Sequence, residues 1–233
     1  DLGGSATVNQ NHSLEVHNYL NSIVRENSSS SSSLVFWDNR VRVQLNIGYL
    51  YNEEGKIELM TLSSESWLHS GQGTSEGATV IYDSTYYIEK LKFYSIDRVL
   101  VTFGPPQQII ILPFPDDPGH PSPPAHYPFS FVLFYPEKGF LVEYSSPRDE
   151  QNDFYIGCPT TSHITLSTWD PNTLVTIDDA VKYFSNIYGI NPFRLIYFKP
   201  IQEVTSFSVE DFYENYKSPN HTECVKTDKT LWP

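Results

Sequence analysis

The chain has 233 residues, with 28 Asp and Glu against 15 Lys and Arg, and its formal charge of -13 repels both nucleic-acid phosphates and anionic membrane surfaces. Hydrophobic residues make up 39% and aromatic residues 15%, enough to build a core without staples and too much for a disordered chain. No run of eighteen apolar residues exists, so no membrane-spanning helix is expected.

In chain order, Ser13 is the expected N-cap of a first helix whose apolar stripe is Leu14, Val16, Leu20, Ile23 and Val24. The serine run 28–33 reads as a flexible connector, because polar, entropy-rich chain has little reason to pack. A short strand follows at 34–37, and the alternation in 41–47 predicts a half-buried strand. The chain turns at Asn52-Glu53-Glu54-Gly55 and returns as 57–62, forming a hairpin. Residues 63–77, rich in Ser, Gly and Thr, read as a surface loop, and the tyrosine-rich 80–91 leads into a second unit.

There Ser95 is expected to cap a helix through Ile96, Val99, Leu100 and Phe103, with Asp97 in the first turn and Gly104-Pro105-Pro106 as its stop. Residues 107–112 read as a buried strand, and 113–128, with seven prolines, as a stiff extended loop. A second hairpin is expected as 129–135, the turn Pro136-Glu137-Lys138-Gly139, and 140–144. Further on, Thr176 and Asp179 open a third helix on Ala180, Val181, Phe184 and Ile187, followed by a strand at 193–198. Ser208 caps a last helix carrying Val209, Phe212, Tyr213 and Tyr216.

The strings LYNEEGKIELMTLSS and LFYPEKGFLVEYSS match in strand, acidic turn, glycine, strand and serine pair, which predicts an internal repeat. The fold class expected is therefore α+β, with tandem helix-then-β-hairpin modules and mainly antiparallel sheet. Its divisions are residues 1-91 for a first helix-hairpin module, 92-160 for a second with the proline-rich loop, and 161-233 for a third helix-containing module packed with the second.

Cys158 and Cys224 are the two cysteines, in no metal-ligand spacing. They are a disulfide candidate whose closure of about 66 residues is worth roughly 4 kcal/mol in the chain-entropy model, the alternative being two buried free thiols. Sequons occur at Asn11, Asn27 and Asn220, a number near chance in this composition. A start at Asp1 suits a mature product after signal-peptide cleavage or a chain trimmed behind a lipid anchor, and equally a trimmed cytosolic domain.

The helix ending in Thr102-Phe103-Gly104-Pro105, the string from Leu133 to Tyr144, Gly157-Cys158-Pro159 and the tail from Cys224 to Pro233 together resemble uncharacterised bacterial extracytoplasmic lipoproteins. The helix-hairpin alternation also resembles outer-membrane lipoproteins of the SmpA/OmlA (BamE) type and the tandem-repeat β-lactamase inhibitor proteins. The likeness spans about residue 95 to the end. It implies a scaffold or binding module at a cell surface, whereas the lipid-bearing cysteine that opens such lipoproteins has no counterpart here.

Residues with the chemistry for a site are few. Asp116, Asp117, His120 and His126 are types that hold Zn²⁺ or Ca²⁺, but in a proline-stiffened loop solvated polar residues are the simpler reading. His163, Ser167 and Asp170 have a triad's composition in an order and crowding that match no nucleophile motif, so a strand with alternate polar residues is expected. Gly71-Gln72-Gly73 precedes no helix and lacks a phosphate loop's remaining residues. Tyr82, Tyr86, Tyr87 and Tyr127, together with Phe93, Tyr94, Tyr135, Tyr144, Phe154 and Tyr155, are the candidates for an aromatic recognition surface, most of them being expected in the core and on sheet faces. The expected function is non-enzymatic: a secreted or surface-bound protein with a protein partner or self-association, no cofactor, no nucleic acid, and membrane contact only through a lipid anchor outside this chain. Alternatives are a self-assembling filament or layer subunit and a secreted hydrolase.

Overall fold

The computed structural model describes residues 30–38, 41–51, 57–68, 94–113, 128–159, 163–172, 176–177 and 198–232. The Ser13 helix, the turn at 52–55, the segment 80–91, the proline-rich loop across 114–127 and the helix and strand expected across 178–197 lie outside the described residues.

The described elements are β1 (Ser30–Asp38), β2 (Val41–Tyr51), β3 (Ile57–Leu68), α1 (Ile96–Phe103), β4 (Gln108–Pro113), β5 (Pro128–Tyr135), β6 (Phe140–Pro147), β7 (Asp149–Gln151), β8 (Phe154–Gly157), β9 (His163–Trp169), β10 (Lys199–Pro200), α2 (Ile201–Val204), α3 (Val209–Tyr216) and β11 (Val225–Asp228). This overturns the expectation of tandem helix-then-hairpin α+β modules. Antiparallel sheet dominates, and the three helices are short. Both matching strings do form hairpins, β2 with β3 and β5 with β6, but the elements preceding them differ: a strand, β1, in one case and α1 with β4 in the other. The serine run is the physical source of the error. Ser30 to Ser33 pair with Tyr49 to Asn46, and Ser63 to Ser66, expected in a loop, continue β3 opposite Asn46 to Val43. Ladder hydrogen bonds come from the backbone, which serine supplies as well as valine does, so polar composition alone does not exclude a strand.

The chain divides into two compact units. One comprises Asp1–Ile81, Pro136–Leu141 and Thr165–Gly189. Its strands run in the order β1-β2-β3-β9, with Leu34 opposite Leu45, Ile47 opposite Leu62, and Leu62 opposite Leu166. The tight Pro136–Lys138 turn closes through Gly139, whose φ of 68° is left-handed and suits glycine. Any side chain there would also run into the Trp169 carbonyl, while the Gly139 carbonyl accepts from the Trp169 N–H at 2.8 Å.

The other unit comprises Tyr82–Tyr135, Val142–Ile164 and Ile190–Pro233. Its larger sheet runs β6-β5-β4-β10, and β4 pairs with β5 from Gln108 opposite Phe134 to Pro113 opposite Phe129. Ile109 to Leu112 and Phe129 to Tyr135 are buried without a break, so these strands are covered on both faces. Phe131 and Tyr135 alternate onto one face, where Phe131 meets Phe212 of α3 at 6.2 Å and Tyr135 meets Phe103 of α1 at 6.1 Å between ring centroids. Helix α1 turns Ile96, Val99 and Leu100 inward and ends at Gly104, as its spacing and stop signal predict, whereas Phe103 of the expected stripe is 40% exposed and the Ser95 side chain makes no cap hydrogen bond.

Two phenols hold the ends of α1. Tyr135 donates to the Gly104 carbonyl at 2.9 Å, and Tyr144 donates to the Tyr94 carbonyl at 2.9 Å. Burial, the largest cause, pushes the phenols of Tyr135, Tyr144 and Tyr216 well above the ordinary tyrosine value of 10.0. A folded value raised above the unfolded one contributes stability that is complete below about pH 10 and is lost as pH rises through the folded values. A base titration should therefore show these phenolates appearing together with loss of near-ultraviolet circular dichroism. Titration of every tyrosine near its ordinary value with the fold intact would contradict the burial.

The Ser208 cap on α3 is a full capping box. The Ser208 hydroxyl accepts from the Asp211 N–H at 3.0 Å, and the Asp211 carboxylate accepts from the Ser208 N–H at 3.1 Å and from its hydroxyl at 2.8 Å. The hydroxyl first and the N–H second hold the Asp211 carboxyl below its ordinary value. Depressed in the fold, this carboxyl supports the helix above its ordinary value and ceases to as pH falls through the folded one. Ser208→Ala should cost about 1 kcal/mol in denaturant unfolding and return the Asp211 titration, followed by carboxyl NMR, toward the ordinary value. An unmoved Asp211 titration would show that the box does not hold in solution.

Candidate functional site

The most closely knit polar constellation among the described residues of the second unit is its small sheet, ordered β11-β8-β7. Here β11 pairs with β8 from Val225 opposite Gly157 to Asp228 opposite Phe154, and β7 pairs with β8 through Glu150 opposite Tyr155. One step beyond the Gly157–Val225 rung lie Cys158 and Cys224, joined as a disulfide with Cα atoms 4.2 Å apart. Antiparallel residues facing each other stand about 4.5 to 5.5 Å apart, so strand register carries the two cysteines into bonding range. The backbone N–H of Cys158 also donates to the Ser146 hydroxyl at 3.1 Å, tying the bridge to the end of β6.

Alternation gives this sheet two unlike faces. The inner face carries Gly157, Val225 and Thr227, all buried; a side chain at Gly157 would collide with the Phe129 ring. The indole N–H of Trp232 donates to the Thr227 hydroxyl at 3.0 Å, and the Lys199 ammonium lies 5.3 Å from the Trp232 ring while donating to the Leu231 carbonyl at 2.6 Å. Trp232 is thus packed against β11, whereas Leu231 is exposed. Tyr155 on the same face is flanked by two cations, the Arg148 guanidinium 4.4 Å and the Lys229 ammonium 5.3 Å from its ring centre. Glu150 bridges them, accepting from Arg148 and from Lys229 at 2.6 Å each. That hydrogen bond is the first cause raising the Lys229 ammonium above its ordinary value. The result is a structural clasp in which two cations share one carboxylate and one aromatic ring.

The outer face is open. Phe154 is 41% exposed and Ile156 half-buried, and on the same face stand Lys226, Asp149, Gln151 and Asp228, with Lys226 reaching Gln151 at 3.5 Å. An apolar centre with a mixed-charge rim is suited to contact with another surface and carries no acid–base or nucleophilic pair.

Of the residues singled out from sequence, Asp116, Asp117, His120, His126, Tyr82, Tyr86, Tyr87 and Tyr127 lie outside the described residues. His163 to Trp169 form strand β9, as expected; Ser167 is buried, and Asp170 accepts from the Asn172 N–H at 2.9 Å and from its side-chain amide at 2.8 Å. Tyr135 and Tyr144 belong to the core, whereas Tyr94 and Phe154 reach solvent. Among the described residues no three His, Cys, Asp or Glu side chains gather as for a metal ion. The Arg148–Tyr155–Lys229–Glu150 clasp escaped sequence reasoning because Glu150 and Lys229 are 79 residues apart. The only local signal was the alternation of buried Val225 and Thr227 with exposed Lys226.

Fold and site together define a sheet-dominated protein closed by a disulfide, a bond that persists in oxidising compartments. Among the described residues no helix is long and apolar enough to cross a membrane. Compared with known proteins, the chain matches no family model, no curated protein and no solved structure.

Proposed function

We propose that the chain is a non-enzymatic binding or structural protein outside the cytoplasm, at a bacterial cell surface. The observation that carries this reading is the disulfide-closed small sheet, rigid on its inner face and presenting Phe154 outward. Thiol trapping in intact source cells tests the compartment. Both cysteines should resist alkylation until a reductant is added, and rapid labelling of both in untreated cells would place the protein in a reducing compartment. Partner capture by a photocrosslinker at position 154 should fall severalfold in the absence of the apolar ring's neighbours' packing, as with Ile156→Asp. Turnover of ester, glycoside or peptide substrates by purified chain would instead establish a hydrolase. A second reading, self-association, is favoured by one separate observation: among the described residues, β1 stands at the end of its strand order.

A further inference from the structure

We infer that the outer face of the small sheet binds a saccharide, with an uncharged pyranose ring stacked on Phe154 and its hydroxyls bonded by Gln151 and Asp228; this rests on the binding reading above and names its ligand class. Strand register brings the three residues together. Gln151 of β7 and Asp228 of β11 both stand opposite Phe154, so the exposed ring is flanked on each neighbouring strand by a planar hydrogen-bonding group. The next rung on the same face places Ile156 between Asp149 and Lys226.

The chemistry of that rung matches a sugar. One side of a pyranose is a patch of weakly positive C–H groups, and the face of a phenyl ring is negative, so the two stack. The hydroxyls radiate from the sugar's edge and both donate and accept; the Gln151 amide does both, and the Asp228 carboxylate accepts. Asp228 is already oriented, since its Oδ1 accepts from the Thr230 N–H at 2.8 Å and from the Thr230 hydroxyl at 2.7 Å, while Oδ2 makes no hydrogen bond among the described residues. The backbone beneath is fixed at both ends, by the disulfide beyond Gly157 and by the Lys229 N–H donating to the Asp153 carbonyl at 2.8 Å. A platform ordered before the ligand arrives has little left to order on binding.

Size and charge choose the ligand. The two rungs stand about 7 Å apart and the three strands span about 10 Å, a footprint suited to a short saccharide. The face offers six side chains, Asp149, Gln151, Phe154, Ile156, Lys226 and Asp228, whereas a stable protein–protein interface takes about 20 to 30 residues a side. Two carboxylates against one ammonium on the face, and a formal charge of -13 on the chain, repel acidic glycans. With one ring as its platform each contact is weak, so a polymer or a dense display of sugar holds the chain better than a free monosaccharide does.

The test uses the full chain, with its disulfide intact, on an array of uncharged, amino-bearing and acidic saccharides printed at high density. Uncharged saccharides should be retained, and added salt should not release them, since no ion pair is made. Phe154→Ala should lower the signal at least about tenfold and Phe154→Trp should keep it, because the aromatic face carries the stacking. Phe154→Leu separates a sugar from a protein contact: it preserves apolar area but has no ring, so saccharide binding should fall as far as in Phe154→Ala. Asp228→Asn, which retains Oδ1 for Thr230, should cost severalfold. Near-ultraviolet circular dichroism of each variant should match the parent. Retention of no uncharged saccharide, preference for acidic ones, or undiminished binding by folded Phe154→Ala would overturn the assignment. A protein captured at position 154 by a chain that binds no saccharide would also overturn it while leaving the binding reading intact.

Discussion

Phe212→Ala should lower the unfolding free energy by about 3 to 5 kcal/mol, the cost of removing a fully enclosed aromatic ring. Phe212 is 0% exposed, stacks on Tyr216 at 4.3 Å and reaches Phe131 at 6.2 Å, joining α3 to the buried strand β5. Its neighbours cannot close the gap cheaply. Phe131 sits in a strand paired with β4, and the Tyr216 hydroxyl is held by the Glu223 carbonyl at 2.7 Å. Phe212→Leu keeps part of the volume and should cost less than half as much. Equal losses for the two variants in urea unfolding would mean that something other than packing volume holds α3 in place.

Replacing Cys158 and Cys224 together by alanine should cost about 4 kcal/mol, the loop-closure value for a separation of 66 residues. The loss should be uneven. The bridge extends the β8–β11 ladder, so hydrogen exchange at Val225 to Asp228 should accelerate first, while the β4–β5 amides stay protected until global unfolding. The Lys229–Glu150 bridge and the Trp232–Thr227 hydrogen bond remain to hold β11, and a variant as stable as the parent would show that they suffice.

Local signals were read well where structure is local. The stripe Ile96, Val99 and Leu100 with its Gly104 stop, the Ser208 cap, the apolar run of β4 and the turn between β5 and β6 all stand where spacing and turn chemistry put them. Each depends on residues within one or two turns of one another. The arrangement expected of them failed for a different reason. Helix caps and hairpin turns specify an element, but which strand lies beside which depends on partners tens of residues away. Leu62 faces Leu166, and Tyr155 is flanked by Arg148 and Lys229. The serine run shows the limit in one segment: its composition predicts a connector, and β2 turns it into a strand by offering a row of backbone partners.

By itself, then, the amino-acid sequence determined the acidic surface, the positions and ends of α1 and α3, the buried strand β4, the β5–β6 hairpin and the existence of two cysteines able to pair. Only the tertiary structure decided that sheet outweighs helix among the described residues and that Cys158 and Cys224 form one rung beyond a ladder. The physical division is one of range. Caps, turns and apolar periodicity act over a few residues, whereas backbone pairing and ring packing are settled by whichever segments the whole chain brings together.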